Sequence, residues 1–333
     1  MATIDDGEPV IFEELRKVSA PHIFEYIFFY LNYESFKTCQ RVSRSWRTLL
    51  TSEKYISKGK LAFCEELVER EKELVRAASE GQLDNVMRLI SCQMVDVNCV
   101  HSVPTPLHNA ASRGHEAIVR LLLDRGANPD KPDRYGRTPI HGATDNCDKD
   151  IVRLLIHAGA DPNWYSIHGK TPLHRAALTG NLALLTELLN GGAVADKPDK
   201  IGRTPLHVAA SDRGINEFVL ALLNHGANPN SADNAGLTPL HWAAAYKNKA
   251  PVMKLLLERG ADPNKTNNWG HTPLHIAVKQ NCKDEARILV KSLAHINVTD
   301  NMGRTPLTLA HAQGNQAMVA ILKQSRIQRR LWR

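Results

Sequence analysis

Seven times along this chain a Thr-Pro pair recurs at a step of 33 or 34 residues. Thr-Pro-Leu-His stands intact at 105–108, 171–174, 204–207, 238–241 and 272–275. Ile replaces Leu at 138–141, and Thr replaces His at 305–308. A period of this length requires stacked structural units that each contact only their neighbours, and it argues against one compact enzyme core.

Residues 133–165 show how one unit is built. A tip containing Gly136 comes first. Thr138 is placed to cap a helix, and Pro139 takes the first helical position, where its missing N–H costs nothing. The first helix is short and small-faced, as in Ala176-Ala177 and Ala243-Ala244. A turn leads to a bulkier second helix, such as Ile118-Val-Arg-Leu-Leu-Leu123, and Gly126, Gly159, Gly192, Gly226 and Gly260 end these helices in the left-handed conformation. One extra residue enters the inter-helix turn near Asp212 and another near Lys247. Leu293 stands where glycine is usual. A left-handed leucine costs about 1–2 kcal/mol, so that helix end is expected to be irregular.

The unit resembles the ankyrin repeat over about four fifths of the chain. A degenerate unit precedes the seven, giving repeats at 71–99, 100–132, 133–165, 166–198, 199–232, 233–266, 267–299 and 300–333. The fold class expected is all-α: an ankyrin solenoid of about eight helix-turn-helix units with β-turn tips, preceded by a small helical module.

That module occupies residues 20–50, after an N-terminal segment 1–19, and residues 51–70 read as a helical spacer. Apolar residues at 23, 24, 27, 28 and 31 follow helical spacing, and aromatics crowd positions 24 to 33. So much apolar surface in so small a module marks a partner interface. The segment resembles the F-box, with Pro21, Ile27, Phe28, Leu31, Phe36, Val42 and Trp46 at the pattern positions. It departs from the pattern at Ala20, at Phe36, and by one residue between Pro21 and Ile27. The resemblance implies docking onto the Skp-type adaptor of a cullin-RING ubiquitin ligase while the repeats hold a protein substrate. The other reading is a small helical cap packed on the first repeat.

The start of the chain is acidic, without the basic and apolar runs of a signal peptide, and no apolar stretch is long enough for a bilayer. The six cysteines are scattered. Together these point to cytoplasm or nucleus and to no membrane partner. The net charge of +7 permits acidic partners without calling for direct nucleic-acid contact. The motif histidines are a whole repeat apart and, as in ankyrin repeats, are expected to brace loops and bind no metal. Gly169-Lys170-Thr171 is no phosphate loop, because Trp164 stands where its first glycine must be. No catalytic constellation, metal site or cofactor motif appears.

Ankyrin arrays bind through their tips and the exposed side of the first helices. The candidate substrate residues are therefore Arg134, Tyr135, Arg137, Trp164, Tyr165, Lys170, Lys200, Ile201, Arg203, Tyr246, Trp269, His271, Met302 and Arg304. Aromatics and arginines are frequent binding anchors, though the aromatics could equally pack on the next tip. The basic lean of units three to five suggests an acidic or phosphorylated segment. The function expected is a non-enzymatic adaptor that recruits substrate to an SCF-type ligase. The rivals are a non-degradative scaffold and a regulator of signalling or transcription factors.

Overall fold

A computed structural model describes the backbone of residues 53–91, 95–99, 104–211 and 216–331, and within these the side chains from 67 to 324. The F-box-like segment 20–50 and its seven pattern residues lie outside the described residues, as do the inserted residue near Asp212 and the side chains of the basic tail from 326 on. Sixteen helices and no strand occur among the described residues.

The first helix, α1, runs Glu53–Glu80 without a break. At 1.5 Å per residue it is about 42 Å long, and the residues read as a spacer share it with the opening of the first repeat. Helix α2 (Leu83–Ser91) follows, then α3 (Pro106–Arg113) and α4 (Glu116–Asp124). The chain divides into two compact units, one reaching residue 110 and taking in 115–128, the other holding 111–114 and everything from 129. In the first unit α1 packs on α2 and α2 on α4. Leu74, Ala78, Val86, Ile118 and Leu122 form its core.

The second unit contains six helix pairs. They are α5 and α6 (Pro139–Asp145, Lys149–His157), α7 and α8 (Pro172–Thr179, Leu182–Asn190), and α9 and α10 (Pro205–Ser211, Asn216–Asn224). Then come α11 and α12 (Pro239–Ala244, Ala250–Glu258), α13 and α14 (Pro273–Lys279, Lys283–Lys291), and α15 and α16 (Pro306–Ala312, Gln316–Leu331). Each first helix packs on its own second helix and on the next first helix, and second helices pack on one another. Alanines at 143, 176, 243, 277 and 310 repeat one position of the first helices and are fully buried, as is Ala210 one residue beyond that position, and interiors packed this closely tolerate little added volume. Leu155, Leu188, Leu222 and Leu256 fill the layer between second helices.

At Thr138, Thr171, Thr238, Thr272 and Thr305 the repeated motif starts the first helix by a reciprocal cap. Thr138 is extended at φ −89°, ψ 167°, and its side chain and that of His141 each serve the other's backbone. The amides of Thr138, Thr171, Thr204, Thr238 and Thr272 donate to Nδ1 of the histidine three residues on, at 3.0 to 3.2 Å. Histidine thus does what Glu or Gln does in the usual capping box.

Leu293 takes φ 67°. Contrary to the expected irregularity, Ala294 donates to Leu289 at 3.0 Å just as Ala261 does to Leu256 at 2.9 Å. The helix end keeps this closing hydrogen bond despite a left-handed leucine. The residue inserted near Lys247 is absorbed by a turn in which Asn248 takes φ 64°.

Candidate protein-binding surface

The tips of the second unit are built around one polar residue each. In the third repeat Asp133 accepts the amides of Tyr135 and Arg137 on one oxygen, at 2.8 and 2.9 Å, which closes a tight turn. Asp199, Asp233, Asn267 and Asp300 repeat this arrangement with the residues two and four further on. In the fourth repeat Ser166 substitutes, accepting Lys170 N–H at 3.2 Å.

Neighbouring tips are hydrogen-bonded to one another through the backbone. Ile167 donates to Tyr135 at 2.9 Å, Lys200 to His168 at 3.3 Å, Asn234 to Ile201 at 3.0 Å, Asn268 to Ala235 at 3.0 Å and Asn301 to Trp269 at 3.1 Å. The approach is close enough to require glycine. A Cβ on Gly202, which has φ 80°, would lie 2.6 Å from the Asn234 nitrogen.

The motif histidines brace the same layer from behind. Nε2–H of His141, His174, His207, His241 and His275 donates to the carbonyl just before the next repeat's Thr, at 2.9 to 3.2 Å. With Nδ1 accepting and Nε2 donating, both ring nitrogens are occupied. Burial, above all, holds His174, His207 and His275 below the ordinary histidine value and brings His241 down to about 4. Among the described residues no group of three or more His, Cys, Asp or Glu is placed to hold a metal ion, and no helix is long and apolar enough to cross a membrane.

The predicted tip residues fall into three sets. Tyr135, Ile201, Trp269 and Met302 occupy the same position in the third, fifth, seventh and eighth tips, with His168 and Ala235 at that position in the fourth and sixth. They are 42, 53, 55 and 75% exposed, so none is packed away against its neighbour. Tyr165 and Tyr246 are exposed as well, and Trp164 is half-buried. The Lys197 ammonium lies 4.5 Å from the centre of the Tyr165 ring.

The second set is arginines turned inward. Arg137, Arg203 and Arg304 lie on the second oxygen of Asp133, Asp199 and Asp300, through Nε at 3.0, 3.1 and 2.8 Å and Nη2 at 2.9, 2.9 and 2.8 Å. Burial works against ionisation of Asp300, but the amides of Arg304 and Met302 and the Arg304 guanidinium outweigh it and hold the carboxyl at about 2. Their basic charge, read from the sequence as available to a partner, is largely spent within the tip. Asp145 adds to this by bridging Arg137 and Arg175, at 3.5 and 2.6 Å. His271 is half-buried, 3.4 Å from Asp300.

The third set, Arg134, Lys170 and Lys200, carries no carboxylate partner among the described residues. Arg134 stacks over Tyr135 at 4.8 Å.

The family called Ankyrin repeats (3 copies) matches residues 74–166, 173–267 and 240–330. The chain belongs to the ankyrin-repeat family. The ankyrin repeat domain of Bcl-3, described as a unique member of the IkappaB protein family, superposes with a TM-score of 0.61 at 30% identity, over 67% of this chain and 99% of that one. The Ankyrin repeat-containing protein YIL001W of Saccharomyces cerevisiae is 49% identical over 65 residues, which is 19% of this chain and 12% of that protein. Ankyrin repeats are protein-binding scaffolds, and the apolar tip column lies on the part of this one that packing leaves uncovered.

Sequence reading passed over Trp242. This half-buried indole donates from Nε1 to Asp233 at 3.1 Å, doing for a tip followed by Leu237 what arginine does elsewhere, and Arg203 lies 5.8 Å from its ring centre. The signal that finds it is the column one residue after the motif His or Thr, which reads Asn109, Gly142, Arg175, Val208, Trp242, Ile276 and Leu309.

Proposed function

We propose that this ankyrin-repeat chain recruits a protein substrate to an SCF-type ubiquitin ligase. The repeats hold the substrate, and residues 20–50 act as an F-box on a Skp-type adaptor and its cullin. The observation that carries the substrate half is the column of exposed Tyr135, Ile201, Trp269 and Met302, fixed on a hydrogen-bonded backbone that needs no ordering when a partner arrives. The ligase half is supported by the spacing of Pro21, Ile27, Phe28, Leu31, Phe36, Val42 and Trp46. On this reading the protein works in cytoplasm or nucleus, and the bond chemistry belongs to the ubiquitin-charged partner.

Affinity purification of the full chain with and without proteasome blockade tests the proposal. Adaptor and cullin should co-purify in both samples and be lost on Leu31→Asp or Trp46→Ala. One further protein should accumulate only under blockade. Absence of the adaptor from the intact protein would overturn the ligase half. The second reading, a non-degradative scaffold, draws on the identity to the Bcl-3 repeat domain and expects stable partners that blockade does not enrich.

A further inference from the structure

Charge on the tip side of the second unit is sorted by chemistry. Phosphate is read best by a guanidinium fork offering two parallel N–H donors. Three of the four tip forks, those of Arg137, Arg203 and Arg304, are filled by Asp133, Asp199 and Asp300, and Arg175 on the first-helix side is on Asp145. The fourth tip fork, Arg134, is stacked on Tyr135. Besides Arg134 and Arg113, the cations on this side without an ion pair among the described residues include the ammonium groups of Lys170 and Lys200 on the tips and of Lys247 and Lys279 at the ends of first helices. An ammonium is a point charge that attracts carboxylate and phosphate alike, so the geometric advantage of phosphate is confined to the donors of Arg134 and Arg113 and is missing at the lysines.

Three of the four tip aspartates, Asp133, Asp199 and Asp300, are neutralised from within. Asp233, held by two amides and the Trp242 indole, keeps its charge, but Arg134, Lys170 and Lys200 outnumber it, so the uncompensated charge of the tips is positive. Among the lysines stand exposed apolar side chains: Ile201, Trp269 and Met302 at the tips, and Leu178 and Tyr246 on the first-helix side. A partner that matches both features offers apolar groups and negative charge together.

We propose that this surface recognises an unmodified protein segment in which apolar side chains are interspersed with Asp or Glu, and that carboxylates, not phosphates, meet its lysines. The proposal rests on reading the tips as the substrate-binding surface and narrows that reading from acidic or phosphorylated to acidic and apolar.

A random peptide library displayed on phage is selected against the full chain. The most enriched peptide is then synthesised in three forms: as selected, with its acids replaced by amides, and with phosphoserine at the acidic positions. Binding is followed by fluorescence anisotropy. Enriched peptides should combine Leu, Ile, Phe or Trp with Asp or Glu. The amide form should bind at least about tenfold more weakly, a loss of about 1.4 kcal/mol, and the phosphoserine form should gain less than tenfold. Trp269→Ala and Lys200→Glu, both at exposed positions, should each weaken binding about tenfold or more without changing the unfolding midpoint. Neutral or basic peptides, no selected peptide at all, or a phosphoserine form more than tenfold tighter would overturn the proposal. Acidic apolar peptides that bind Trp269→Ala and Lys200→Glu as well as the parent protein would instead sink the tips as the surface. Adaptor co-purification, which depends on residues 20–50, is unaffected by either substitution, so the two proposals fail separately.

Discussion

Arg203 holds Asp199 through Nε at 3.1 Å and Nη2 at 2.9 Å, while the other oxygen of Asp199 takes two backbone amides. The carboxylate is buried and the guanidinium partly exposed. Arg203→Ala therefore leaves one oxygen of a buried anion without its partner, at a cost of about 1–3 kcal/mol. Lys200→Ala, three residues earlier, should stay within about 0.5 kcal/mol of the parent. Urea unfolding compares them, and equal effects would mean the Arg203 pair is as inconsequential as a surface contact.

Acid should loosen the array in a window set by the motif histidines. His174, His207, His241 and His275 are stabilised in the neutral form, since Nδ1 must accept the Thr amide, and burial makes them titrate below the unfolded value near 6.5, His241 at about 4. Their contribution is therefore complete above about pH 6.5 and disappears as pH falls toward 4. Asp300, held at about 2, remains ionised through that window. Melting temperature measured between pH 7.5 and 4.5 should fall continuously. His241→Gln, which can still accept and donate, should flatten part of the slope, and an unchanged slope would refute the assignment.

Leu293→Gly should stabilise the protein by about 1 kcal/mol, because the side chain is 69% exposed at φ 67° and has little packing to lose. Gly260→Leu, at the corresponding helix end with φ 88° and open space around its Cβ position, should cost a similar amount. Thermal melts of both variants check the pair.

Alanine at two tip glycines should separate torsional strain from collision. At Gly202 the new Cβ meets the Asn234 backbone, whereas at Gly303 it meets nothing within 4 Å. Gly303→Ala should cost about 1 kcal/mol and Gly202→Ala clearly more, as shown by chemical denaturation. Parity would mean that the Gly202 tip and its neighbour can part without cost.

Much of this architecture is legible in the sequence because local chemistry and the repeat agree. Thr138 before Pro139, the alanine pairs, and glycine at Gly159 and Gly260 each dictate a helix start, a close packing or a helix stop without reference to distant residues. The hydrogen bond that closes the helix at Leu293 was not legible, since a propensity gives the cost of a torsion and cannot show that Ala294 still reaches Leu289. Nor was the fate of Arg137, Arg203 and Arg304. Each looks like a free cation until the turn brings it back onto the aspartate four residues earlier. Trp242 was hidden for the same reason, its partner Asp233 lying across the motif in the tip of the same repeat.

Because the amides of Ile167, Lys200, Asn234, Asn268 and Asn301 are already given to the preceding tip, a visiting segment cannot extend this backbone by adding a strand. Selectivity is left to side chains such as Ile201, Trp269 and Met302, on which the scaffold makes no demand. Target choice in this protein can therefore drift by single replacements at these sites, at almost no expense in thermal robustness.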